Sequence, residues 1–206
     1  DGIIYIFGCG HSHLPGLDAF YRAGGLSNVS PILDTDLMLH NGAAKSSRME
    51  KMSGLATEII RRYGLTENDM LFVLSASGKN QVPYEMALEA KKIGVKTVGI
   101  SSSSYFEKGG KLHTATDIHI DCKVPYGDAC IAVGDIKMGG LSTAAACFII
   151  NSCLIEGSKL AEETDALDFE KAALEEETEA VERSTGSKID NMNATGKVVM
   201  AEEDAI

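Results

Sequence analysis

Six residues, Ser75-Ala76-Ser77-Gly78-Lys79-Asn80, gather two hydroxyls, a permissive glycine and a side-chain amide directly after the apolar run Met70 to Leu74. Hydroxyl donors beside the unpaired N–H groups of a helix start favour phosphate, and no lysine is needed. Two further loops share this character. Gly8-Cys9-Gly10-His11-Ser12-His13 follows the apolar run Ile3 to Phe7, and Ser101-Ser102-Ser103-Ser104 follows Val95 to Ile100. One such loop is also what an ordinary capped strand-to-helix connection looks like. Three at successive strand ends point to an anion-binding crevice that includes Gly10, Gly78, Ser101 and Ser102.

Other chemistries fit less well. The first loop is half of a dinucleotide fingerprint with Asp34 as the ribose acid, but His13 stands near the place of the third glycine, which is missing. Gly78-Lys79 is followed by Asn80, so the Walker phosphate loop fails, and Ser12 lacks the closing glycine of a nucleophile elbow. The His11-x-His13 pair has no Cys, His or Asp cluster at helpful spacing, so no metal site is expected, and no motif implies a cofactor. One of these histidines either caps or packs, or carries a proton near neutral pH.

These loops need a scaffold. Apolar runs at Ile3 to Phe7, Met70 to Leu74, Val95 to Ile100 and Asp117 to Cys122 read as strands, alternating with helical patterns at Leu14 to Ala23, Ala43 to Tyr63 and Val82 to Ile93. Alternation of this kind implies an α/β fold with a mainly parallel sheet and helices on both faces. Ligands of such sheets bind beyond the carboxyl ends of the strands, where the serine-rich loops lie. Gly139 to Ile155 is apolar on nearly every side, which suits a buried helix or a subunit contact. Beyond it Leu160, Leu167, Leu174 and Val181 recur every seven residues, a stripe that packs on its own domain or across an oligomer.

The chain has 206 residues, 44% of them apolar and 24% charged, which suits one globular domain: a core over about residues 3–160, an acidic helix over about 160–184 and a tail over 185–206. The net charge of −11 speaks against nucleic acid and anionic membrane surfaces as partners. That charge is concentrated, because residues 162–183 hold ten acids against Lys171 and Arg183, whereas residues 1–161 hold sixteen acids and fifteen bases. An anionic ligand is therefore compatible with the nearly neutral part. No uninterrupted apolar run approaches the roughly 20 residues of a membrane span, so a cytoplasmic protein without a membrane partner is expected. Five cysteines without a CxxC pair read as reduced thiols.

Taken together, the Gly8–Ser12 loop, the SxSGx(T/N) loop at Ser75–Asn80, the Ser101–Ser104 loop and Gly140-Leu141-Ser142-Thr143 resemble the sugar isomerase (SIS) domain family. The SxSG loop with Pro83-Tyr84 is similar to that of N-acetylmuramic acid 6-phosphate etherases. Phe20 to Gly25, Leu37 to His40 and Val124 to Ala129 are closer to a single-domain, phosphoheptose isomerase-like subfamily. The resemblance implies a three-layer, flavodoxin-like α/β/α sandwich that forms homodimers or homotetramers with sites at subunit contacts. It implies a phosphorylated sugar as partner, with Ser12, Ser75, Ser77 and Asn80 on its phosphate and hydroxyls; Asn80 replaces the more usual threonine. SIS domains carry a helix before the first strand, so either such a segment precedes this chain or a partner covers that surface. The implied activity is aldose–ketose isomerisation of a sugar phosphate, and the alternatives are a noncatalytic phosphosugar sensor and an etherase. Isomerisation needs a base that moves a proton between C1 and C2. The candidates are Asp18, where phosphoheptose isomerases place an acid, together with Glu50, Glu85, His11, His13 and His40. Glu50 and Glu85 read equally well as helix-surface charges.

Overall fold

A computed structural model describes residues 2–163. The acidic segment beyond Glu163, the leucine stripe past Leu160 and the tail over 185–206 lie outside them. The elements in chain order are β1 (Ile4–Gly8), α1 (Leu14–Ala19), β2 (Val29–Ile32), α2 (Ala43–Met49), α3 (Leu55–Tyr63), β3 (Met70–Leu74), α4 (Gln81–Lys92), β4 (Lys96–Ser101), β5 (Ile118–Asp121), β6 (Ala129–Val133), β7 (Ile136–Gly140) and α5 (Ser142–Glu163). The described residues form two compact units: one takes the chain to Leu17 and Ser30–Ile149, the other Asp18–Val29 and the described residues from Ile150 onward.

The sheet runs in the order β2-β1-β3-β4-β5, with β1, β3, β4 and β5 paired in parallel. This is the expected α/β architecture, a parallel sheet flanked by helices. Its strands are short apolar runs because both faces are covered: Leu71, Phe72, Val73 and Leu74 are all buried. On one side Ala56, Ile59 and Ile60 of α3 and Val82, Met86, Ala87 and Ala90 of α4 bury at helical spacing with Phe7, Leu71 and Val73. Each fully buried Ile, Leu or Met contributes about 2 kcal/mol.

Two carboxylates pin the amino ends of the strands. Asp69 accepts from the amide of Ile3 (2.7 Å) and from the amide and hydroxyl of Thr66, while Asp117 accepts from the amide (2.9 Å) and hydroxyl (2.8 Å) of Thr97. The carboxyl ends carry the loops instead. Gly8 pairs with Leu74 and Leu74 with Ile100, so the three loops leave the sheet at one level.

The expected helix over Ala43 to Tyr63 is two helices. Gly54, at φ +87° beside the start of α3, takes a left-handed conformation that breaks the run. Strand β2 and the antiparallel β6–β7 ribbon were not anticipated: β2 contains Pro31, and the ribbon's Gly134, Gly139 and Gly140 disguise its alternation. Helix α5 buries Ile150 and Leu154 but exposes Phe148, Ile155 and Leu160. By length and composition it is also apolar enough to cross a membrane, although polar residues interrupt it throughout.

Candidate functional site

The site begins with a glycine that leaves room. A Cβ on Gly8 would lie 2.1 Å from the backbone oxygen of Ser12, so only glycine lets the 3-10 turn Gly10–His13 fold back over the tip of β1. Gly10 donates its amide to the Leu37 carbonyl (2.8 Å), which fixes the turn. At the tip of β3, Ser75 extends the ladder by donating its amide to the Ile100 carbonyl (3.0 Å), and the chain then turns at Gly78 with φ +59°. The Ser75 and Ser77 hydroxyl oxygens accept from the amides of Gly78 (3.2 Å) and Lys79 (3.4 Å). Neither hydroxyl donates to another group among the described residues, so both O–H groups remain for a ligand.

Ser12, Ser75, Ser77, Asn80, Glu50 and Tyr105 line one cavity of about 180 Å³, walled also by Cys9. A water-sized pocket beside it shares Ser12 and Ser75 and adds Ser142 and Thr143 at the start of α5. Asn80 makes no side-chain capping bond to α4, and its side chain lies by the Glu50 carboxylate, whose charged form it favours. Burial pushes the Glu50 carboxyl above its ordinary value, against the opposing pull of Lys51 and of the Asn80 bond. The buried Cys9 thiol is pushed well up by the same desolvation and by the charges of Glu50 and Asp34, which makes it a protonated wall rather than a nucleophile.

The other expected residues are placed differently. Ser101 and Ser102 are buried: the Ser101 hydroxyl pairs with Nε2 of His119 (2.9 Å) and the Ser102 hydroxyl donates to the Val124 carbonyl (2.6 Å). Glu85 accepts from the Ser53 hydroxyl (2.5 Å), the Gly54 amide (2.7 Å) and the Gln81 amide group (2.8 Å), bonds that hold its carboxyl below the ordinary value and tie the α3 start to α4. Asp18 belongs to the second unit, where it pairs with Arg22 and accepts from Asn151 (2.9 Å). His11 and His40 are exposed, and His13 is buried with Nδ1 on the Gly10 carbonyl. Among the described residues no group of three or more His, Cys, Asp or Glu side chains could hold a metal ion. Sequence reasoning missed Tyr105, and it quoted Ser142-Thr143 only for family likeness; their position before an apolar helix was the available signal.

A UPF0309 protein of Halalkalibacterium halodurans is 36% identical over 164 residues, covering 75% of this chain and 68% of that relative. The chain belongs to the UPF0309 family. Another UPF0309 protein, of Thermoanaerobacter pseudethanolicus, is 40% identical over 162 residues, 73% of this chain and 66% of the relative. This UPF0309 chain thus spans about two thirds of the length of the curated relatives it matches. The SIS domain family matches residues 1–102, a span that holds Ser12, Glu50, Ser75, Ser77 and Asn80. Among solved structures, the chain is similar to a phosphoheptose isomerase from Francisella tularensis (17% identity, TM-score 0.46, 75% of each chain). It is also similar to the Vibrio vulnificus NanR protein complexed with ManNAc-6P (16% identity, TM-score 0.48, 82% of this chain and 54% of that one).

Proposed function

We propose that this UPF0309 protein binds a phosphorylated sugar and interconverts its aldose and ketose forms. The observation that carries this reading is one cavity lined by Ser12, Ser75, Ser77, Asn80 and Glu50. The serine hydroxyls and the loop amides take the phosphate oxygens, and the sugar chain extends towards Glu50. Its carboxylate removes the proton from C2 of the open-chain aldose and the electron pair forms the enediolate; the O2 proton passes to O1, and the Glu50 carboxyl, open to exchange with solvent, delivers a proton to C1 to give the ketose. Asn80, which lines the same cavity and favours the charged form of Glu50, is the neighbour that orients this carboxylate. A raised carboxyl suits a base that must release its proton again each turnover. Membership of the SIS domain family supports the phosphosugar, and the cavity supports the base.

The test is proton exchange in deuterium oxide followed by NMR across a panel of sugar phosphates. Glu50→Gln is expected to slow C2 exchange by about 10²- to 10⁴-fold while the sugar phosphate still raises the melting temperature. Unchanged exchange in Glu50→Gln refutes the assignment of the base. A second reading, a noncatalytic phosphosugar sensor, is favoured by the placement of one carboxylate alone in the cavity lining. It predicts thermal stabilisation with no exchange in the unaltered protein. An etherase would instead release lactate from a C3 lactyl ether.

A further inference from the structure

Beside the cavity the chain assembles a cationic aromatic platform. Tyr105, which lines the cavity, is buried and lies 4.9 Å from the ring of exposed Tyr126; its hydroxyl accepts from the Gly127 amide (2.8 Å), which locks the pair. The Lys79 ammonium stands 5.5 Å from both ring centroids, and the Lys108 ammonium stands 4.7 Å from Tyr126. Two like charges thus converge on one ring. Among the described residues neither lysine forms an ion pair, whereas Lys45, Lys91, Lys92, Lys123 and Lys159 each do. Lys111 is a useful contrast: it also lies over a ring, Tyr84 at 4.3 Å, but donates to the side-chain Oε1 of Gln81 (2.8 Å).

The ring faces attract the ammonium groups and orient them, yet they neutralise no charge. Two ammoniums without an ion-pair partner among the described residues, next to the cavity, make a local positive patch in the nearly neutral part of the chain. Lys79 follows Ser77 and Gly78 in the serine loop; its amide donates to the Ser77 hydroxyl (3.4 Å) and its ammonium lies over the Tyr105 ring at the same cavity.

We infer that Lys79 and Lys108 on the Tyr105–Tyr126 platform form a second anion subsite, so that the ligand is a sugar phosphate carrying a further anionic group, a carboxylate or a second phosphoryl. This rests on the phosphosugar reading and adds the ligand's second charge to it. The serine loop takes one anion and the lysine pair the other, with the sugar carbons between them.

Isothermal titration calorimetry with three probes tests it: glucose 6-phosphate, 6-phosphogluconate with its carboxylate, and fructose 1,6-bisphosphate with its second phosphoryl. At least one doubly anionic probe is expected to bind about tenfold more tightly than glucose 6-phosphate, the scale of one extra charge-assisted contact. Which of the two does so identifies the second group. In Lys79→Met/Lys108→Met that preference is expected to collapse to about onefold. Equal affinity for all three probes in the unaltered protein overturns the subsite, as does a preference that survives the double variant. Equal weakening of all three by the double variant assigns the lysines to the first phosphate and also overturns it. Binding of none of the three, with Ser75→Ala indistinguishable from the unaltered protein, sinks the phosphosugar reading itself; glucose 6-phosphate binding without a preference sinks only the second subsite.

Discussion

Two serine-rich loops leave neighbouring strands at the same level and meet opposite fates. At the tip of β3 the Ser75 and Ser77 oxygens accept bonds from their own loop amides and line the cavity. At the tip of β4, Ser102 and Ser104 both donate to the Val124 carbonyl and Ser101 pairs with His119. Val124 follows β5, so the neighbouring strand supplies a ready acceptor for the second loop. Two hydroxyls of that loop converge on this one carbonyl, and each such bond contributes about 0.5–1.5 kcal/mol, which commits both to the fold. The same residue type thus binds structure at one tip and remains open to ligand at the next.

Several substitutions break or sharpen this contrast. The largest effect is expected from Gly8→Ala, whose new Cβ meets the Ser12 backbone at 2.1 Å. Relief requires the whole turn to move, so a loss of about 1–3 kcal/mol of stability accompanies loss of sugar phosphate binding, read by denaturant titration and thermal shift. Full binding by that variant would detach Ser12 from the site.

Next come the paired serine variants. Ser77→Ala is expected to weaken sugar phosphate binding about tenfold with little change in melting temperature. Ser102→Ala is expected to do the reverse, costing about 1–2 kcal/mol of stability and leaving affinity unchanged. Matching effects from the two variants, measured by calorimetry and thermal melts, would erase the distinction between the loops.

A smaller effect follows from pH. Because the folded Glu50 carboxyl sits above its ordinary value, the charged form is disfavoured by folding, and stability falls as pH rises through that range. Exchange activity has the opposite sign, since the base works only when ionised. Glu50→Gln should flatten the pH dependence of stability above about pH 4.5, near the ordinary glutamate value; an unchanged profile argues that Glu50 is solvated.

The smallest concerns the pinned end of the sheet. The Thr97 bonds and Lys91 hold the Asp117 carboxyl down at about 2. Its contribution is present above the ordinary aspartate value and is lost as pH falls towards 2, so Asp117→Asn should show a shallower acid loss of melting temperature. The partly exposed Lys91 partner limits the size of this effect.

Much of this was legible beforehand. Met70 to Leu74 is a strand because five apolar residues end in a serine–glycine turn, and the structure has β3 over those residues. The α2–α3 break was harder to see, since a single Gly54 inside a helical pattern announces a kink only when its φ is known. Among the expected proton carriers, Glu50 and Glu85 looked alike on paper. Three local donors claim Glu85, whereas α2 ends where the Glu50 carboxylate reaches the cavity. Asp18 was placed by family likeness, and its observed partners are Arg22 and Asn151, the latter more than a hundred residues away.

By itself the chain's order of residues determined the alternation of apolar runs and glycine–serine loops, hence a parallel sheet with polar loops at its carboxyl edge. Those features follow from side-chain periodicity and local backbone preference, which act over a few residues. Only the tertiary structure decided which hydroxyls keep a free proton, which carboxylate joins them, and that Lys79 and Lys108 meet over one pair of rings. Each of these depends on strand register and on partners remote in sequence, where a shift of one position exchanges a bonded group for an open one.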